Sequence, residues 1–450
     1  MEGKKETKKE DNSDYSQVDP FEAIGFKAEP GDIYYVEPSK KLSTYPMYIE
    51  NPVKIEKTIG SYISYTLTGK DINIKVSRRY SDFNYLYDEL VQRWPGVYIP
   101  RIPPKVYTKN TDKEKVKRRM RLLNRFCLQL SSIPYLYNCE ETNLFKSVSD
   151  DVTNQIYYLS ELSIEQILER MKKAFPDYDE DYDVFDGIIK LNEKNEYIKK
   201  SIKNFETFKK TVSTSIDKRE AEKEKYEEIL KGLVDYEKGT LLAYTNNQEN
   251  FILNNSEQTE AIEKIKSLKE KMVNPFVIFK NWAKEEVLDA EAMCIAIKGV
   301  NDLVEKEKQI KQKLETTESY IKKVESEGPG FFKSFFKSKE NVINQNVEEK
   351  NNIKKNLDNI SLIIKICTYT LNKRIEEFKE EKAKVYYTNV KKFAIMQKES
   401  NRVIKDLWDS IKNILNNISP NAYLLDNEYV SQPISRAPDP ETCELINDEL

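Results

Sequence analysis

Between Val347 and Ile418 apolar residues return every three, four or seven positions, as at Ile353, Leu357, Ile360, Ile364, Cys367, Leu371, Ile375 and Phe378, and charged residues fill the intervals. That period puts the apolar side chains on one stripe of an α-helix. Two earlier stretches repeat the pattern, one through Leu191, Ile198, Ile202, Phe205, Val212 and Ile216, the other from Ile262 through Met272, Val287 and Cys294 to Leu314. Three helices of roughly 60 to 80 residues follow, each on the order of 100 Å long. A stripe on so thin a rod has to be covered, and an antiparallel three-helix coil over residues 186–419 is the simplest closure. Pro275 falls inside the second apolar run, where loss of a backbone donor is expected to bend the helix and curve the coil.

The chain before residue 186 has a different texture. The runs "MYIENPVKIE", "SYISYTLTG" and "INIKVSRRY" are rich in Ile, Val, Tyr and Thr and are punctuated by Gly and Asn-Pro, which predicts three strands in a meander. Two helical stretches follow, "SDFNYLYDELVQRW" and "KEKVKRRMRLLNRFCLQLSSI", with the proline-rich "PGVYIPRIPPKVYTKN" between them as a stiff extended loop. Residues 45–148 therefore read as a small α+β domain, a three-stranded sheet plus a helical subdomain. A linker, residues 149–185, holds an amphipathic helix: Ser163 and Gln166 have the spacing of a reciprocal cap, and Ile164, Ile167, Leu168, Met171 and Phe175 share a side. Residues 1–44 and 420–450 are polar and read as disordered tails.

Composition excludes several function classes. One third of the 450 residues are charged, yet the net charge is −3, so the chain is no uniformly basic nucleic-acid binder. Histidine is absent, which removes the commonest general base and zinc ligand. Cys127, Cys139, Cys294, Cys367 and Cys443 lack C-x-x-C spacing, which argues for reduced thiols of a cytosolic protein, with neither a metal site nor a disulfide framework. No Gly-rich phosphate loop occurs. An enzyme is the weakest reading, and no cofactor is expected. The opening "MEGKKETKKEDNSDYSQ" has no apolar signal core, and no run approaches the ~20 apolar residues of a membrane span.

Chemistry concentrates in the α+β domain. Arg78, Arg79 and Tyr80 stand where the third strand meets the first helix, Lys105 follows the proline loop, and Lys113, Lys115, Lys117, Arg118, Arg119 and Arg121 follow in one run. Arginine suits bidentate contact with phosphate, lysine acts as a point charge, and Tyr80 offers a ring for stacking. A solvated helix face reads equally well from these residues alone. The motifs "RRYSDFNYL", "PRIPPK" and "KRRMRLLNRFCLQL", in this order, resemble a PX (phox homology) domain, a phosphoinositide-binding module. The resemblance implies that Arg79 binds the 3-phosphate, Tyr80 stacks under the inositol ring, Lys105 contacts the 1-phosphate and Arg119 holds the 4- and 5-hydroxyls, with Arg118 the neighbouring candidate. It implies phosphatidylinositol 3-phosphate as ligand and leaves Arg78 to fold support or general membrane attraction.

A long-helix region directly after such a domain resembles the BAR domain of the sorting nexins. That resemblance implies a PX-BAR sorting nexin: a peripheral protein on the cytosolic face of endosomal membranes, acting in tubule and vesicle trafficking. It would sense or induce curvature as a homodimer or as a heterodimer with another PX-BAR protein, with retromer or cargo among its partners. The turn "GPGFFKSFFKSKE" sets Phe331, Phe332, Phe335 and Phe336 among lysines, which suits shallow membrane insertion; packing against the coil is the other reading. The linker helix is open between lying on the membrane and packing on the protein. The competing function is a coiled-coil adaptor or tether whose small domain binds a protein partner.

Overall fold

The computed structural model describes residues 46–56, 61–69, 74–105, 113–149, 152–241, 272–327 and 339–417, with positions 243 and 267. Both predicted tails and the phenylalanine-rich turn with Phe331, Phe332, Phe335 and Phe336 lie outside the described residues. So does most of the segment between the first and second long helices.

Three strands form an antiparallel meander, β1 (Met47–Glu56), β2 (Ser61–Gly69) and β3 (Ile74–Arg79), in the order β1-β2-β3. The Asn51-Pro52 pair does not end β1. It is absorbed as a register shift between Glu50 and Val53, with Asn51 in the left-handed region (φ 48°) that Asn tolerates better than most residues. One face of the sheet is buried through Met47, Ile49, Tyr65 and Leu67 under α1 (Tyr80–Arg93) and α2 (Lys113–Ser131), whose Phe83, Leu86, Leu90, Leu123, Phe126 and Leu130 are all fully buried. Short helices α3 (Pro134–Tyr137), α4 (Glu140–Ser147) and α5 (Val152–Tyr157) complete the domain.

In the linker, α6 (Ile164–Ala174) starts at the predicted cap: the Gln166 amide donates to Ser163 Oγ at 3.2 Å, and the Ser163 amide donates to Gln166 Oε1 at 2.9 Å. Its apolar side packs on protein, with Met171 fully buried and Leu168 nearly so. Arg170 pairs with Glu141 at 2.6 Å and lies over the Trp94 ring.

Three long helices follow: α7 (Val184–Tyr236), closed by a π turn (Glu237–Leu241), α8 (Phe276–Glu327) and α9 (Lys339–Asn417). Their lengths are 53, 52 and 79 residues. Pro275 does not bend the second helix as its place in the apolar run led us to expect. It stands immediately before α8, and its carbonyl accepts from the Ile278 amide at 3.2 Å. At a helix start the missing proline N–H would have no intrahelical partner in any case, so termination costs less than a kink.

The described residues divide into two compact units. One joins the α+β domain and linker to the first part of α7, Pro275–Ala394 included; the other contains Asp217–Asn274 and the chain from Ile395. In the first unit α7 and α8 are antiparallel, shown by Asn192 against Asn301 and Phe205 against Trp282. α8 and α9 are antiparallel too, with Phe279 stacked on Phe393 at 4.3 Å and Glu307 accepting from Ser361. Ile297, Val300, Ile360, Ile364, Cys367 and Leu371 fill the interior. The second unit is held by Leu230, Met272 and Leu407, and by Arg219, which donates to Ser400 Oγ at 2.8 Å.

The proline-rich loop is where the α+β domain docks on the coil. Val97, Tyr98, Ile99 and Ile102 are buried, and the Tyr98 ring lies edge-on to Phe378 at 5.0 Å. Gly96, at φ 74°, meets Gly299 of α8 so closely that a Cβ on Gly299 would stand 2.5 Å from the Gly96 nitrogen. Two glycines allow backbone to pack on backbone there.

Candidate functional site

Arg78 and Arg79 are neighbours with opposite fates. Strand alternation places Arg78 on the buried side with Ile74, and it is 1% exposed. Its Nε and Nη2 donate to the Phe145 carbonyl at 3.0 and 2.7 Å, its Nη1 donates to the Ser77 carbonyl at 2.6 Å, and Nη2 also reaches the Val148 carbonyl. Arg78 therefore ties β3 to the end of α4. Arg79 ends the strand with its side chain 43% exposed, lying 5.6 Å from the Tyr62 ring centre. Its amide donates to Asp82 Oδ2 at 2.8 Å, and its Nε is 3.3 Å from Asp82 Oδ1. Asp82 is itself braced by Thr153, at 2.9 Å. The guanidinium is thus held at the strand-to-helix junction but keeps open donors.

Tyr80 opens α1, and three elements converge on it. Its hydroxyl donates to the Pro103 carbonyl at 2.7 Å, which fixes the proline loop two residues before the exposed Lys105. Arg119 of α2 lies over its ring at 5.1 Å. Cation–π attraction of this kind is worth about 0.5–1 kcal/mol at exposed sites, enough to bias a rotamer and not enough to lock it. The junction, the loop and α2 thereby meet at Tyr80, with Arg79 next to it in the chain, Arg119 over its ring and Lys105 two residues beyond the tied Pro103.

Sequence reasoning missed two tyrosines of β2. Tyr62 receives Arg79, and Tyr65 lies buried with its hydroxyl unpartnered. Burial pushes the Tyr65 phenol up, while the nearby Arg119 charge opposes that shift. Both had read only as strand-forming aromatics.

The basic run of α2 is also divided. Arg121 donates to Glu285 of α8, Arg125 reaches Asp289 at 2.5 Å, and Arg101 of the loop reaches Glu291 at 2.5 Å. These three cations hold the domain on the coil, so the membrane-directed charge inferred from composition is smaller than it looked. Among the described residues there is no His/Cys/Asp/Glu group fit to hold a metal, and no helix is long and apolar enough to cross a membrane. Burial pushes the thiols of Cys139 and Cys367 up to about 12, which leaves them protonated.

The PX domain family profile matches residues 66–149. Sorting nexin-33 of Mus musculus is 33% identical over 137 residues, 28% of this chain and 24% of that protein; sorting nexin MVP1 of Candida albicans is 36% identical over 107 residues, 22% of this chain and 14% of that protein. Sequence similarity thus spans a quarter or less of these relatives' length. The cryo-EM structure of the SNX-BAR Mvp1 tetramer aligns over 81% of this chain and 99% of its own, with a TM-score of 0.53 and 17% identity. The chain has the domain order and fold of a PX-BAR sorting nexin. The first strand of its sheet begins at Met47, ahead of the profile match. The BAR-type coil begins at Val184 in α7.

Proposed function

We propose that this chain is a peripheral membrane protein that binds phosphatidylinositol 3-phosphate through Arg79, Tyr80, Lys105 and Arg119, and that its coil dimerises to sense or induce membrane curvature in endosomal sorting. The observation that carries the lipid assignment is the convergence on Tyr80: its ring lies under Arg119, its hydroxyl is tied to the loop two residues before Lys105, and Arg79, its neighbour in the chain, lies over the adjacent Tyr62 ring. Two guanidinium groups, each beside a tyrosine ring, suit a phosphorylated polyol, since they supply directed donors for phosphate oxygens and hydroxyls while a ring supplies a flat apolar wall. Arg79 takes the 3-phosphate, Arg119 the 4- and 5-hydroxyls, and Lys105 the phosphate that joins headgroup to glycerol.

The role of the coil is avidity and shape. Dimerisation presents two headgroup pockets on one particle, and linked weak sites reach useful affinity without any new contact. The dimer is with itself or with another PX-BAR protein, and cargo or a coat such as retromer is the further partner this role implies. Vesicle flotation tests the reading: the wild-type chain should float with phosphatidylcholine vesicles that carry phosphatidylinositol 3-phosphate and stay down without it. The Arg79→Ala chain should stay down in both.

A further inference from the structure

The cations of α2 point in different directions. Arg119 lies over Tyr80, whereas Arg121 and Arg125 face α8, where each meets a carboxylate 164 residues further on, Glu285 and Asp289. The shared offset means that α2 and α8 run locally in parallel and in register. Carried one turn back, that register sets Arg118 against the turn of α8 that holds Lys280 and Lys284. Like charges meet there. The charges of Arg118, Lys280 and Arg121 all bear on Lys284, Arg121 alone of these four cations pairs with Glu285 among the described residues, and α7 adds Lys209, which already pairs with Glu206.

Two independent features mark this groove as wanting an anion. Arg121 uses Nη1 on Glu285, but its Nη2 is buried and has no hydrogen-bond partner. A buried donor left unmade costs about 1–3 kcal/mol, and more when it is charged. Lys284, in turn, makes no ion pair among the described residues; burial, followed by the charges of Arg118, Lys280 and Arg121, holds its ammonium down to about 8. Cations crowded in this way destabilise a fold unless something negative lies between them.

We propose that the groove between α2 and α8 is a second anion site, separate from the Tyr80 pocket, in which Arg118, Arg121, Lys280 and Lys284 hold a phosphate-bearing ligand. The free Nη2 of Arg121 supplies a directed hydrogen bond, and the two lysines supply point charges. The ligand is a phosphomonoester or a pyrophosphate, free in solution or carried on a lipid headgroup. Because α2 belongs to the PX domain and α8 to the coil, a bound phosphate adds a bridge between them.

The test uses the full chain carrying Arg79→Ala, so that the headgroup pocket and the groove fail separately. Calorimetric titration with inorganic pyrophosphate should show binding, and adding Arg118→Gln with Lys284→Met should weaken it about tenfold or more, roughly 1.4 kcal/mol or above. The thermal midpoint of that variant should stay level or rise, because repulsion is removed. Co-sedimentation with phosphatidylcholine vesicles, with and without phosphatidic acid, assigns the source: pelleting that needs phosphatidic acid and is lost in the variant places the phosphate on a lipid, and titration alone places it in solution. Absence of both responses overturns the proposal, as does binding indifferent to the two substitutions. A fall in thermal midpoint would also overturn it, by showing Arg118 and Lys284 to be structural.

Discussion

Arg125 of α2 and Asp289 of α8 meet at 2.5 Å with Asp289 almost wholly buried, and this pair is the centre of the joint between the PX domain and the coil. The same carboxylate accepts from Lys382 of α9 at 2.5 Å, from the Tyr98 hydroxyl at 3.2 Å and from Gln129 at 3.3 Å. Four donors satisfy one buried anion, so the site is saturated and its loss is not easily repaired. Asp289→Ala leaves Arg125 with only Glu285 at 3.8 Å and Lys382 with Glu286 at 2.8 Å, and the expected cost is about 3 kcal/mol, read as a lowered midpoint in chemical denaturation.

Acid should act on the same joint. Burial alone would raise the Asp289 carboxyl, but Arg125 and then Lys382 overcome it and hold the group well below the usual carboxylate range. With the folded value depressed, the unfolded chain binds the proton more readily at low pH. The contribution of Asp289 is therefore complete above the ordinary carboxylate value and is lost as pH falls through the folded one. Denaturation midpoints should decline from about pH 5 downward, and Asp289→Asn should flatten that decline.

The two adjacent arginines should separate cleanly. Arg78→Ala abandons the carbonyls of Ser77, Phe145 and Val148, and should cost about 3 kcal/mol or more, seen as early cleavage of the PX domain in limited proteolysis. Arg79→Ala removes a half-exposed side chain whose one ion pair among the described residues is with Asp82, and its thermal midpoint should match the wild type within about 0.5 kcal/mol equivalent.

Close backbone packing at Gly96 and Gly299 gives another expectation. Gly299→Ala brings a methyl group to 2.5 Å from the Gly96 nitrogen, so the loop or α8 has to shift. The cost should be about 1–3 kcal/mol. Amide hydrogen exchange should quicken across Trp94–Ile102, the segment that this contact holds down.

Much of this was legible in the chain because the signals are local. Strand texture, the Ser163–Gln166 cap and the three apolar stripes each depend on residues within a few turns of one another, and each marks an element that is present. What was not legible depends on distant partners. Nothing near Arg121 and Arg125 says that they meet Glu285 and Asp289; the only trace is the equal spacing of four in both pairs. Pro275 misled because an apolar run continues through it, while proline chemistry favours a helix beginning there. At the proposed headgroup site, the junction arginine and its tyrosine stand out as a motif, but Tyr62 and Tyr65 look like any strand aromatics, and only the folded sheet brings Tyr62 against Arg79 and Tyr65 within range of the Arg119 charge.

The most direct measurement is calorimetric titration of the wild-type chain with water-soluble short-chain phosphatidylinositol 3-phosphate, set beside its 4-phosphate isomer and the variants Arg79→Ala and Tyr80→Phe. Binding should be selective for the 3-phosphate, should weaken about tenfold or more with Arg79→Ala, and should change by only about 1 kcal/mol with Tyr80→Phe, which keeps the ring and loses the bond to Pro103. Equal binding of the two isomers, or a 3-phosphate affinity that survives Arg79→Ala, would contradict the account.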